Sequence, residues 1–218
     1  MFVVKSVFET VKEIKQSFRL MMDGAVAQSM RDKGLNYHLN WGATIPRLQA
    51  KAEEIRLMFN VSSLMFNVYE LSIALYKENV RECKILATML MPADEILPEV
   101  VDIWQEQIPS QEIAEQLAFN LYQHLPFAAE KAYQWIASDK EYDQLCGFHV
   151  LSRLFMNGQE PNERGINEYL DEALCALQGP YPSVRKAALQ SLQRFAELGI
   201  LYERLAKSAT KSIDLDIF

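Results

Sequence analysis

Two stretches written in nearly the same letters constrain the fold more than anything else in the chain. Residues 79–91, with Glu78 and Pro92 as flanks, read ENVRECKILATMLMP, and residues 182–192 read PSVRKAALQSL. Each sets a Val–Arg pair ahead of small residues: Ala87 in the first, Ala187 and Ala188 in the second. Each then reaches a leucine, Leu90 or Leu192. Residues 142–154 are a looser copy, with small Gly147 followed by Leu151 and Leu154. In the first copy Val80, Leu86, Ala87, Met89 and Leu90 gather on one side of a helix of period 3.6, with Arg81, Glu82 and Lys84 as its polar residues. Pro92 ends that helix, because proline donates no backbone hydrogen bond and disfavours helical geometry just before it. A helix pair that cannot bury its apolar face alone must stack on copies of itself. The expectation is an all-α stack of antiparallel helix pairs, an α-solenoid.

The rest of the chain reads the same way. Val4, Val7, Phe8, Val11, Ile14, Phe18 and Met21 recur every three or four residues opposite Lys5, Glu9, Lys12 and Lys15. This predicts a first helix from residue 3 with that stripe buried. Charges of both signs on its polar face favour a packed helix over one lying on a membrane. Gly34 caps a shorter helix. Residues 35–44, LNYHLNWGAT, form an irregular loop in which Trp41 and Leu39 plug the end of the stack. Thr44 caps the next helix, with Pro46 in its first turn and Ile45, Leu48, Ala52, Ile55 and Phe59 as its buried stripe. Further helices are predicted over 63–76, 79–91, 97–107, 112–125, 128–137, 142–156, 166–177 and 183–198. Short connections carrying proline or glycine make neighbours antiparallel. No linker composition interrupts the chain, so residues 1–218 read as a single domain, with 207–218 a frayed tail.

Half of the 218 residues are hydrophobic, enough for a sizeable core. No apolar run is long enough to span a bilayer, and the first helix lacks a signal-peptide pattern. Cys83, Cys146 and Cys175 sit in apolar helical contexts and read as buried, reduced thiols of a cytoplasmic protein. His38, His124 and His149 do not cluster with them at ligand spacing, so neither metal nor cofactor is expected. The net charge of −7 is uneven: +3 over residues 1–60, −12 over 61–180 and +2 over 181–218. An acidic middle repels a phosphate backbone at long range, although a helical repeat can segregate bases and acids onto opposite faces.

The helical order, with the segments 42–55 (GATIPRLQAKAEEI), 82–90 and 184–192, resembles the DNA alkylation repair family of HEAT-like-repeat proteins. Characterised members of that family include glycosylases that release cationic alkylated purines. The resemblance implies a HEAT-like-repeat fold and a cleft that holds a lesion between aromatic faces and an acid. The family's tryptophan and two acids fall on Gln111, Glu112 and Glu115: the acidic spacing is present, but glutamine replaces the tryptophan. In its late helix Lys186 and Ala187 match, whereas Gln190 and Gln193 stand where the family has tryptophan and arginine. The family arginine near Cys146 and Gly147 is absent, and Arg153 lies two turns away.

An aromatic face attracts a cationic base, a carboxylate stabilises the charge that builds on the sugar, and arginine forks onto phosphate. Of these elements only the carboxylate is carried over, as Glu115 with Glu112 beside it. The expected function is therefore a divergent nucleic-acid-binding scaffold with an altered cleft. Arg81, Arg185, Lys186, Gln111, Gln190 and Gln193 are its expected nucleic-acid contacts, duplex DNA its partner, and Trp104 and Trp135 candidate contact aromatics. An active alkylpurine glycosylase using Glu115, with Trp41 or Trp135 as its aromatic, is one alternative. A protein-interaction module binding a protein partner is the other.

Overall fold

In the computed structural model, which describes residues 6–61 and 67–211, regular structure is helical; a lone parallel bridge joins Leu39 to Val80. The contacts divide into two compact units, Met1–Gln116 and Leu117–Phe218, where the sequence reading expects one domain.

The N-terminal unit holds α1 (Val7–Leu20), α2 (Gly24–Asp32), α3 (Ile45–Val61), α4 (Val68–Tyr76), α5 (Arg81–Leu90) and α6 (Pro98–Glu106). The division between the units falls within α7 (Gln111–Asn120). Local chemistry sets the helix starts. Ser6 and Glu9 form a capping box on α1, Asn67 and Glu70 another on α4, and the Asp23 carboxylate accepts from the first amides of α2. Pro98 occupies the first turn of α6, where its missing N–H costs nothing. Gly34 ends α2 at φ 84°.

α5 packs on α3 and α4 and is the centre of this unit. All ten of its residues are buried, Arg81, Glu82 and Lys84 included. The expected polar face of this helix is thus interior. Leu48, Ala52 and Ile55 of α3 are buried as expected, and so are Val11, Ile14 and Phe18 of α1. Phe8 is not: it stands 77% exposed. Residues 3–5 of the expected first helix and residues 63–66 of the expected fourth lie outside the described residues.

The C-terminal unit holds a 3-10 turn (Tyr122–His124), α8 (Ala128–Ile136), α9 (Glu141–Met156), α10 (Glu163–Gln178), α11 (Pro182–Ala196) and α12 (Ile200–Lys211). α9 packs between α8 and α11, and α11 also meets α10 and α12. The helix expected over 112–125 stops at Asn120 and gives way to the 3-10 turn ahead of Pro126. The polar composition after residue 207 suggested fraying, yet α12 runs through Lys211, anchored by buried Ala206 and Thr210; residues 212–218 lie outside the description. Cys83 and Cys146 are buried as expected, but Cys175 is exposed on α10. No helix among the described residues is long and apolar enough to cross a membrane.

Candidate nucleic-acid interface

The expected site residues separate into three places. The first is a buried ionic cluster in the N-terminal unit. Arg81 forks onto Glu112, donating from Nε to Oε2 at 2.8 Å and from Nη2 to Oε1 at 2.6 Å. Its Nη1 donates to the Ala43 carbonyl at 2.8 Å and lies 3.3 Å from Glu82 Oε1. Glu82 Oε1 also accepts from the amides of Trp41 and Ala43, at 3.1 and 3.2 Å. The Tyr37 hydroxyl donates to Glu112 Oε2 at 2.5 Å and sits 2.7 Å from the Ser110 hydroxyl.

Arg81 is 1% exposed, so it cannot offer charge to a nucleic acid; its hydrogen bonds tie the 35–44 loop and α7 to α5. This corrects its expected role. Burial pulls the Arg81 pKa down, but the Glu112 hydrogen bonds, with the charges of Glu112 and Glu82, leave it raised. Burial, then the Glu112 charge and hydrogen bond, push Tyr37 well above the ordinary phenol range. Glu112 is bound on both oxygens to Arg81 and Tyr37 and acts as an anchor in this cluster. The Trp41 ring is buried against Phe18, 5.8 Å between centroids.

The second place is the first turns of α7. Gln111 is exposed and donates to Glu115 Oε1 at 2.8 Å, which leaves Glu115 half-buried. Trp104 and Trp135 are interior residues, contrary to a role as contact aromatics. Trp104 stacks on Tyr76 at 4.0 Å and 9°, and Trp135 tilts onto Tyr122 at 4.8 Å. Lys84 joins the Tyr76–Trp104 stack, with Nζ 4.3 Å from the Tyr76 ring centroid and 2.7 Å from the Tyr76 carbonyl.

The third place is a cleft of about 280 Å³ in the C-terminal unit. α9 contributes His149, Ser152, Arg153 and Met156, which recur at helical spacing and so share a face. α11 contributes Gln190, Gln193 and Arg194 in the same pattern, and Phe119 completes the lining. Arg153 lies over the Phe119 ring at 4.8 Å, and the His149 ring meets the edge of Phe119 at 4.8 Å. Arg153 also reaches the Met156 sulfur at 3.8 Å but no carboxylate. Arg194 is tied to Glu197 at 2.6 Å.

His149 is 9% exposed. Burial, then the charges of Arg153 and Lys186, hold its pKa down to about 4, so the ring is neutral near pH 7. The charges of Arg153 and Lys186 thus fall on one buried imidazole, and neither cation has an acidic partner among the described residues. Lys186 is exposed on α11, whereas Arg185 beside it donates to the Gly179 carbonyl at 2.7 Å and closes the end of α10. The structure therefore places Gln190 and Gln193 in the cleft, Lys186 on the same helix four residues before Gln190, and assigns Arg185 a tether. His149, Phe119 and Arg194 were not among the expected contacts. The signal that marks His149 is its row with Ser152 and Arg153 in the otherwise apolar stretch 145–156; nothing in the sequence marks Phe119 or Arg194.

The donors available here are guanidinium, amide and ammonium groups, which suit an oxyanion. Among the described residues no group of three or more His, Cys, Asp or Glu is placed to hold a metal ion.

A sequence profile described as DNA alkylation repair enzyme matches residues 14–192. No curated protein matches the sequence. A solved structure described as "a new family of proteins related to the HEAT-like repeat DNA glycosylases with affinity for branched DNA structures" aligns with a TM-score of 0.77 at 16% identity, covering 92% of this chain and 82% of that one. The likeness shows a HEAT-like-repeat fold, and the profile spans most of the sequence. The chain belongs to the DNA alkylation repair enzyme family.

Proposed function

We propose that this chain is a nucleic-acid-binding scaffold that grips a phosphodiester backbone in the C-terminal cleft and lacks the groups that release a base. The observation that carries the reading is the gathering of Arg153, Gln190 and Gln193 around buried His149 in one cleft, with Lys186 one turn before Gln190 on α11. Neither cation has an acidic partner among the described residues, and neither glutamine side chain has a hydrogen-bond partner. A phosphate entering the cleft would meet charge from Arg153 and Lys186 and amide donors from the glutamines. Glutamine offers no stacking face for a cationic base and no charge for a developing oxocarbenium ion. The Phe119 ring in the lining is already occupied by Arg153 and His149.

The test is binding of the purified protein to short duplex DNA at low salt, with and without a cationic alkylated base, and with base release assayed in the same tubes. Because the solved relative is described by its affinity for branched DNA, a junction of the same sequence belongs in the series. Binding without release is expected. Arg153→Glu with Lys186→Glu should abolish it, and each phosphate contact removed should lower the salt slope by about 0.9. Release that Glu115→Gln abolishes would replace this reading with the glycosylase. No binding even at low salt would turn the search to a protein partner.

A further inference from the structure

A second surface, on the N-terminal unit, carries unmet chemistry of another kind. α1 and the 35–44 loop bound a groove of about 550 Å³. Val11 and Trp41 form its floor, and both are buried. Phe8 and Leu39 form its lip, 77% and 38% exposed. Exposed apolar residues that share a concavity mark an interaction site more often than scattered ones do. Three cations of α1 line the same groove. Lys15 is neutralised by Glu78 at 2.7 Å. Lys12 and Arg19 have no carboxylate partner among the described residues. They stand seven residues apart on one helix, about 10 Å along its axis.

We infer that this groove docks an amphipathic helix of another protein. Its aliphatic side chains would cover Phe8, Leu39 and Trp41, and it would present two carboxylates, seven residues apart, to Lys12 and Arg19. Two turns of a partner helix span the same distance as two turns of α1, so one register satisfies both cations. A single small carboxylate can neutralise only one of them. A nucleic-acid backbone would satisfy the cations but leave Phe8 and Leu39 in water. An anionic bilayer is flat, and it would press on Glu9 and Glu13, exposed on the same helix, as well as on Glu78. The inference does not depend on the cleft of the C-terminal unit.

The probe is a fluorescein-labelled helical peptide of about 18 residues, long enough to hold its shape, with leucines on one face and glutamates at i and i+7. Anisotropy titrations would compare it with the same peptide carrying lysines at those two positions. Phe8→Ala should weaken binding of the glutamate peptide about tenfold, because an exposed aromatic anchor is lost. Lys12→Glu with Arg19→Glu should weaken it by a similar factor and turn the preference toward the lysine peptide. All three positions are exposed, so thermal midpoints should stay unchanged and report an intact fold. Absence of binding, equal binding of the two peptides, or indifference to Phe8→Ala overturns the inference. So does binding of phosphatidylserine vesicles or duplex DNA, in place of the peptide, that the same charge reversals remove.

Discussion

Gly147 sits where α9 passes closest to α8. A Cβ added there would lie 2.7 Å from Ile136 Cγ2 and 2.9 Å from both the Ala132 carbonyl oxygen and the Ile136 amide nitrogen. Two of those three atoms are backbone and cannot swing aside. Gly147→Ala should therefore destabilise by about 1–3 kcal/mol, despite the better helix propensity of alanine. Urea unfolding checks it, and an unchanged midpoint would mean the two helices separate freely. Arg81 makes the opposite point. Its neighbours Glu82 and Glu112 are ionic partners rather than solvent, so Arg81→Met would leave buried carboxylates without their cation. A loss of about 3–5 kcal/mol is expected in the same measurement. The small residue at 147 was legible in the sequence, since small residues recur at that place in each copy. The burial of Arg81 was not, because a Val–Arg pair at the start of a helix is written identically whether the arginine faces water or a carboxylate. The second copy shows this: Arg185, at the matching place, holds the Gly179 carbonyl instead.

At the scale of the element, α5 was legible in position but misjudged in character. Its start and its end before Pro92 follow from local signals, and the helix is found where the letters put it. Its apolar residues are buried as expected, and its polar ones are buried too. Periodicity predicts which face prefers the core; it says nothing about whether neighbours also cover the other face. Ala87 is wholly buried on this helix. Ala87→Leu should overpack the contact of α5 with its neighbours and cost about 1–3 kcal/mol, read as a lowered thermal midpoint. In sequence α9 reads as a repeat helix with small Gly147, and its row of His149, Ser152 and Arg153 carries no signal of a partner. Once α11 lies against it, that row and the row of Gln190, Gln193 and Arg194 bound one cleft. Neither row is a site by itself: the family resemblance points to the glutamines, and the row on α9 alone does not make His149 a contact.

For the molecule as a whole, the formal charge of −7 argues against nucleic acid, yet the C-terminal cleft gathers cations. Net charge sets long-range steering, whereas contact affinity depends on which charges are left unpaired at short range. Burial of His149, and then the charges of Arg153 and Lys186, make stability depend on pH. His149 has a folded pKa of about 4, below its ordinary value of about 6.5. Between those values the unfolded chain binds a proton that the folded one does not, so stability rises with pH across that window and falls on acidification. Going from pH 7 to pH 5 should cost about 2 kcal/mol through this residue. His149→Gln should flatten that part of the profile, and an unaltered slope would show that His149 titrates freely. Heating should give a single calorimetric transition, as the lack of linker composition between the two units suggests. Two transitions would make them separate domains.

What the sequence determined by itself is the all-helical architecture, most helix boundaries and the family to which the chain belongs. The helices depend on caps, prolines and a period of 3.6, each acting within a few residues of chain. The family rests on the likeness of the segments 42–55, 82–90 and 184–192. What only the tertiary structure decided is which polar groups are inside and which are free. Arg81 and Glu112 lie 31 residues apart and pair because their helices meet, which removes both from any surface role. Arg153 and His149 gain meaning from α11, and Lys12 and Arg19 from having no carboxylate partner among the described residues. The solvation of a charge is set by whatever packs against it, and its neighbours along the chain do not specify that.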